Sequence, residues 1–195
     1  LIFPLHSALS ALTRKVVDEI GNSNVVTIAH DWSGEIDKDW ERISRSISGF
    51  CANPNNFAVI FVGLGNDVEK GLIDSALKIG IDNHQVLELS NLGSSINLIS
   101  AIKESANKYI ELSRSVQRVP APWSALHLGL ECGGSDALSG ITANPALGVA
   151  SDKLVELGST SVLGETTEIL GAEHLLAARA KTPEVGKAIV EMVAR

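Results

Sequence analysis

Short runs of β-branched and other apolar residues alternate along the chain with longer segments in which apolar residues recur at helical spacing. This alternation is typical of βαβ units that build a parallel sheet. The run AVIFVGL (58–64) is apolar at nearly every position, which indicates a strand buried on both faces. We therefore predict an α/β fold with an open, mainly parallel, Rossmann-like sheet and helices on both of its faces.

The two kinds of segment can be assigned along the whole sequence by their periodicity. Strands are predicted at 1–5, 24–30, 57–65, 85–90, 125–131 and 159–165. Helices are predicted at 7–20, 35–48, 67–79, 94–116, 146–157 and 171–180, and a last one from about residue 183.

The stretch QRVPAPWSA (117–125) interrupts this alternation. Its two closely spaced prolines cannot sit in a helix interior or a central strand, so the stretch is predicted to be a linker. It divides the chain into a first α/β lobe, 1–118, and a second lobe, 119–195. We expect the two lobes to share one sheet or to pack closely.

Composition narrows the class of partner. The chain has 16 basic and 23 acidic residues, a net charge of −7 and no basic cluster, which argues against nucleic acid as the partner. No apolar run approaches the ~20 residues that a membrane span needs. Cys51 and Cys132 have neither the spacing of zinc-finger ligands nor the pattern of a disulfide framework, so we expect a reducing, cytoplasmic location.

Ligands of open α/β sheets bind beyond the carboxyl ends of the strands, so polar residues at those ends are the candidates for a site. His30 follows the second predicted strand and is either a ligand or base, or a histidine satisfied at the sheet edge. The loop GLGND (63–67) lacks the third glycine of a dinucleotide fingerprint, because Val68 stands there. A tight turn is the favoured interpretation of this loop.

The run LECGGSDALSGITANPA (130–146) is rich in groups that bind polar ligands. Gly133 and Gly134 permit close backbone approach or a positive φ, and their N–H groups can surround an anion. Ser135 is either a helix N-cap, with Asp136 adding charge, or a binding residue. Asn144-Pro145 marks a predicted helix entrance, with Pro145 at the first helical position. The run therefore predicts a site for an anionic small molecule.

The segment GETTEILGAEH (164–174) adds carboxylates at the end of the last predicted strand. Glu165 ends the strand, Glu168 follows in the loop, and Glu173-His174 fall within the next predicted helix. Such carboxylates can bind a hard cation or a substrate hydroxyl, or they can cap the helix.

The segment 128–180, from LGLECGGSDALSGITANPALG to GETTEILGAEHLLAARA, resembles the signature of the altronate/galactarate dehydratase family, to which sulfolactate sulfo-lyase is related. The resemblance implies a hydro-lyase that removes water from a sugar acid to give a 2-keto-3-deoxy acid, with a divalent metal, usually iron(II). The residues carried over are catalytic Glu165, Glu168 and His174, the metal ligand Cys132, and substrate-binding Gly133, Gly134, Ser135, Asp136, Thr142, Asn144 and His30.

The resemblance covers roughly the first half of the family's catalytic region, so we expect the second half in cis or as a separate chain. The sequence also leaves a homo-oligomer open. Relatives place additional cysteines where this sequence has Ser7 or Ala8, Ser33 and Asn66. An alternative is therefore a non-catalytic domain that binds a sugar acid or a partner. The sequence leaves open which sugar acid and which metal are bound.

Overall fold

The computed structural model describes residues 1–134 and 136–194, without the side chain of Thr166. The chain forms two compact units, one spanning Leu1–Gln117 and the other beginning at Arg118. Both contain parallel strands and helices, so the mixed α/β class predicted from the sequence is confirmed. Within the described part, no helix combines the length and apolar character needed to cross a bilayer.

The first unit is built on a three-stranded parallel sheet of β1 (Ile2–Pro4), β2 (Val59–Gly63) and β3 (His84–Glu88), with β2 in the centre. Every residue of β2 is buried. The side chains of β2 therefore alternate between two apolar layers, as the consecutive apolar pattern of this strand predicts.

Helices cover both faces of this sheet. On one face, α1 (Ser10–Ile20) and α5 (Ser95–Ser113) bring Val16, Leu98 and Ile102 against Ile60 and Val62. On the other, α2 (Trp40–Cys51) and α3 (Asp67–Leu77) pack Ile47 and Leu72 on Val59 and Phe61. A one-turn helix, α4 (Leu89–Leu92), follows β3 directly.

The predicted strand at 24–30 is wrong. Only Thr27 forms a bridge, to Ile2 of β1, and the backbone N–H of Ile2 donates to the Val26 carbonyl at 2.8 Å. After Thr27, the hydroxyl of Ser10 forms hydrogen bonds with both main-chain groups of His30. It donates to the carbonyl at 3.0 Å and accepts from the N–H at 3.4 Å. The side chain of Ser10, in α1, thus forms the hydrogen bonds that a neighbouring strand would form with His30.

The second unit contains a two-stranded parallel sheet of β4 (His127–Leu130) and β5 (Thr160–Leu163). Its helices are α6 (Ala137–Ile141), α7 (Ala143–Glu156), α8 (Glu173–Ala178) and α9 (Pro183–Val193). Helix α6 is not among the helices predicted from periodicity, but it follows the helix start that is one interpretation of Ser135-Asp136. Helix α7 begins before the predicted entrance at Pro145, which makes that residue the third of the helix rather than the first.

In the first unit, the loop after β2 closes around a buried carboxylate. Glu69 is only 1% exposed and accepts hydrogen bonds from the backbone N–H groups of Leu64, Gly65 and Asn66 at 3.1, 2.8 and 3.3 Å. Gly65 has a φ of +99°, and a Cβ there would collide with the side chain of Ser90. Because Glu69 takes these N–H groups, they are not free to bind a phosphate, which supports the tight-turn interpretation of GLGND.

We predict that Glu69→Ala lowers the free energy of unfolding by about 3 kcal/mol, because it leaves three N–H groups without their acceptor. The measurement is urea unfolding followed by tryptophan fluorescence, to which Trp32 and Trp40 of the same unit contribute. The control is Glu104→Ala on the exposed side of α5, for which a change within about 0.5 kcal/mol is expected. Equal effects of the two variants would contradict a structural role for the Glu69 carboxylate.

Candidate active site

The candidate site lies where the two strands of the second unit end. Strands β4 and β5 run parallel with His127 opposite Thr160 and Leu130 opposite Leu163. The N–H of Gly164 donates to the Leu130 carbonyl at 2.8 Å, which carries the pairing one residue further. Both chains therefore leave the sheet at the same edge, and the loops that begin with Glu131 and with Glu165 start side by side.

A hydrogen bond joins these two loops. The backbone N–H of Cys132 donates to Oε2 of Glu165 at 3.0 Å. Glu165 has φ 52° and ψ 59°, the left-handed conformation, and is the one non-glycine residue with positive φ in the described part of the chain. This backbone costs about 1–2 kcal/mol for an L-residue, so the contact to Cys132 has to offset it.

Glu165 precedes a short 3-10 turn, Thr166–Ile169, but its side chain forms no cap hydrogen bond there. The helix-cap alternative for this carboxylate is therefore not what the structure shows. The 3-10 turn brings Glu168 back toward Glu165, since the Glu168 N–H donates to the Glu165 carbonyl at 2.9 Å.

These contacts place three metal-binding side chains together. One ligand atom each from Cys132, Glu165 and Glu168 lies within 4.8 Å of the others, and all three residues are exposed. A thiolate and two carboxylates are a donor set that suits a divalent transition metal, because thiolate adds to the oxygen ligands a preference for softer ions. The structure thus brings together the predicted metal ligand and two of the three predicted catalytic residues.

The third predicted catalytic residue, His174, is the second residue of α8 and is exposed. It forms no hydrogen bond with the described residues of either loop. The neighbouring Glu173 has one buried carboxylate oxygen without a partner among the described residues.

Asp136 caps helix α6. Its Oδ1 accepts from the N–H groups of Leu138 and Ser139 at 2.8 and 3.0 Å, and its Oδ2 accepts from the Ser139 hydroxyl at 2.6 Å. The Ser139 hydroxyl and these N–H groups hold the pKa of the Asp136 carboxyl below its usual range. The sequence interpretation missed Ser139. It lies three residues after Asp136, which is the spacing between an N-cap residue and the residue whose N–H bonds to the N-cap side chain.

The remaining predicted substrate-binding residues of this unit line the same stretch of chain. Gly133 and Gly134 are exposed, and neither has a positive φ, which leaves close backbone approach as the predicted reason for glycine. The Thr142 hydroxyl donates to the Leu138 carbonyl at 2.7 Å, and Asn144 is the second residue of α7. Ser135 lies outside the described residues.

His30 belongs to the first unit and is held by its surroundings there. Its Nε2 lies 2.7 Å from the Pro4 carbonyl and, because a carbonyl only accepts, Nε2 donates. Its ring stacks on Phe3 at 5.6 Å between centroids, and Nδ1 is buried without a partner among the described residues. The bond to Pro4 and the stacking on Phe3 favour a sheet-edge histidine, in which Nε2 is satisfied and Nδ1 is not.

Comparison with known proteins agrees with the resemblance found in the sequence. Residues 123–195 match the family described as D-galactarate/altronate dehydratase, C-terminal. The chain is 35% identical over 161 residues to galactarate dehydratase (L-threo-forming) of Escherichia coli, which aligns with 75% of this chain. It is 31% identical over 188 residues, 95% of this chain, to altronate dehydratase of Bacillus subtilis.

A third relative is the (2R)-sulfolactate sulfo-lyase subunit beta of Chromohalobacter salexigens, 31% identical over 182 residues and 87% of this chain. The matched regions are only 30%, 37% and 46% of these three relatives, so the chain spans less than half the length of each. Family profile and relatives agree on one assignment: the chain belongs to the galactarate/altronate dehydratase family.

Proposed function

We propose that this chain supplies part of the active site of a sugar-acid dehydratase. The enzyme removes water from an aldonate or aldarate such as altronate or galactarate and releases a 2-keto-3-deoxy acid. The names of the relatives support the reaction class. The observation that carries the proposal is the convergence of Cys132, Glu165 and Glu168 at the shared edge of β4 and β5.

The reaction needs a base for the proton next to the substrate carboxylate and an acid for the departing hydroxyl. Glu168 is suited to proton transfer, since its side chain is exposed and forms no hydrogen bond with the described residues. Glu165 is held by the Cys132 N–H, which fixes one carboxylate oxygen and leaves the other available. His174, from α8, is the third group proposed to move a proton.

The substrate carboxylate is proposed to bind at the loop after β4. The N–H groups of Gly133 and Gly134 form no hydrogen bond with the described residues, and apart from their chain neighbours nothing in the described part of the chain lies within 4 Å of a Cβ placed on either glycine. Fixed N–H donors stabilise the negative charge that develops when the proton leaves. Thr142 and Asn144, where α6 meets α7, are proposed to contact the substrate hydroxyls, and Asp136 keeps α6 in place.

Cys132 would hold a divalent metal, iron(II) by the family resemblance, together with whichever of Glu165 and Glu168 does not transfer the proton. A bound cation would supply positive charge to the oxygens of the substrate. With two or three protein ligands, such a metal would keep coordination positions for those oxygens. A ligand keeps its carboxylate bound to the cation, whereas a base has to accept a proton. Measurements of metal binding and of turnover therefore distinguish these two roles for Glu165 and Glu168.

The thiols offer a test of the metal site that does not depend on activity. Cys51 is 1% exposed, and burial raises the pKa of its thiol to about 12, so thiolate is scarce at pH 8. Cys132 is exposed. We expect iodoacetamide at pH 8 to alkylate one thiol rapidly, and expect Cys132→Ser to remove that reaction, both read by mass spectrometry.

Anaerobic Fe²⁺, or Mn²⁺, should slow the alkylation of Cys132 at least about 10-fold, because a thiolate bound to metal is a poorer nucleophile. Glu165→Gln or Glu168→Gln should remove most of this protection if the residue is a ligand. Glu156→Gln, at the exposed end of α7, is the control and should leave it intact. Unchanged alkylation at millimolar metal would remove Cys132 from the metal site.

Activity should be measured on the complete product of the reading frame, with altronate and galactarate as substrates and Fe²⁺ added. We expect keto-deoxy acid formation, and expect Glu168→Gln to lower kcat at least about 100-fold with a smaller change in KM. Glu156→Gln serves again as the control. Full activity of the Glu168 variant would exclude proton transfer by that residue. Binding of galactarate without turnover would favour the non-catalytic alternative.

A further inference from the structure

The second unit differs from the first in how little it buries its apolar side chains. All buried apolar residues of the described chain lie between Ile2 and Ala106, in the first unit. Among the described residues from Arg118 onward, only Ser159 and Gly186 are buried. Large apolar side chains on every helix and on β5 of the second unit are more than a third exposed. They include Leu138, Ile141, Val149, Val155, Val162, Leu163, Leu175, Val185 and Val190.

One face of the sheet of this unit is partly covered, with Leu163 at its end still 58% exposed, and the other face is bare. Helix α7 packs on the face that carries Leu128, Leu130 and Ser161, and the hydroxyl of Ser151 donates to that of Ser161 at 2.8 Å. Side chains alternate along a strand, so Gly129 and Val162 belong to the opposite face. Val162 is 53% exposed, and nothing lies within 4 Å of a Cβ placed on Gly129.

The two edges of the sheet are open as well. In the part of the chain that the structure describes, β4 pairs with β5 and with no other strand. Parallel strands are found almost only in sheets of several strands with both faces buried. A unit without buried apolar side chains gains too little from burial to offset the conformational entropy lost on ordering it. The bare face and the open edges are thus surfaces that the unit needs to cover.

The family indicates what covers them. The aligned regions are only 30–46% of the relatives' lengths, so more than half of each relative lies outside the region that aligns with this chain. We propose that such a further region, in cis or as a separate chain, binds the bare face of the β4–β5 sheet. It would add at least one parallel strand to an open edge and cover Gly129 and Val162 with an apolar layer. The inference rests on the family assignment and on this surface, and not on the proposed reaction.

Hydrogen exchange tests the proposal in two samples, the 195-residue chain and the complete product of its reading frame. In the 195-residue chain, the amides of β4 and β5 should exchange at least about 100-fold faster than those of β2, because they lack a covering layer. In the complete product, the amides of β4 and β5 should become as slow as those of β2.

Two valines provide a matched pair of variants. Val162 is 53% exposed and Val26, in the first unit, is 49% exposed. In the complete product, Val162→Asp should lower the Tm by at least about 5 °C more than Val26→Asp, or prevent folding while Val26→Asp folds. In the 195-residue chain, the two variants should differ by less than about 2 °C.

Four results would overturn the proposal. Slow exchange of β4 and β5 in the monomeric 195-residue chain would show that nothing further is needed. Slow exchange that appears only as this chain dimerises, measured by light scattering at several concentrations, would make a second copy the partner. Fast exchange in the complete product, or equal effects of the two valine variants there, would show that this surface stays open.

Discussion

The parallel register of β4 and β5 is the constraint on which the candidate site depends. Parallel strands end at the same edge of a sheet, so the segments after Leu130 and Leu163 begin next to each other although 33 positions separate Cys132 from Glu165 along the chain. In an antiparallel pair these segments would leave at opposite edges, and no loop of ordinary length would bring the thiol and the carboxylates within 4.8 Å. The chemistry proposed for the site is a consequence of strand direction.

Both units use a glutamate to organise a loop at the carboxyl end of a strand, with different results. Glu69 is buried and binds three N–H groups, so its oxygens are committed to the fold. Glu165 is exposed and accepts one N–H, from Cys132, while its own backbone carries the strain of a positive φ. Charge-assisted hydrogen bonds are strong enough to hold such a conformation. The first arrangement supplies stability, and the second leaves oxygen atoms available to a ligand.

Much of this organisation can be predicted from residue patterns. The order of strands and helices follows from periodicity, and the meeting of Cys132 with Glu165 and Glu168 follows from placing two loops at one sheet edge. The segment 24–30 has the pattern of a strand, but Ser10 takes the main-chain groups of His30, and a side-chain contact of this kind leaves no periodic signal. The left-handed backbone at Glu165 could not be predicted from the sequence either, because a positive φ is expected at glycine and not at glutamate.

The exposed face of the β4–β5 sheet lies only a few positions along the chain from the residues of the candidate site. Val162 on the bare face is three positions from Glu165, so a layer that covers the sheet ends close to the carboxylates. Charges act far more strongly on a reacting substrate when water is excluded, since the interaction energy rises as the effective dielectric constant falls. In an exposed site, the fields of Glu165 and Glu168 are largely screened by water. In the proposed arrangement, the region that covers Gly129 and Val162 therefore also excludes water from the carboxylates proposed to be catalytic.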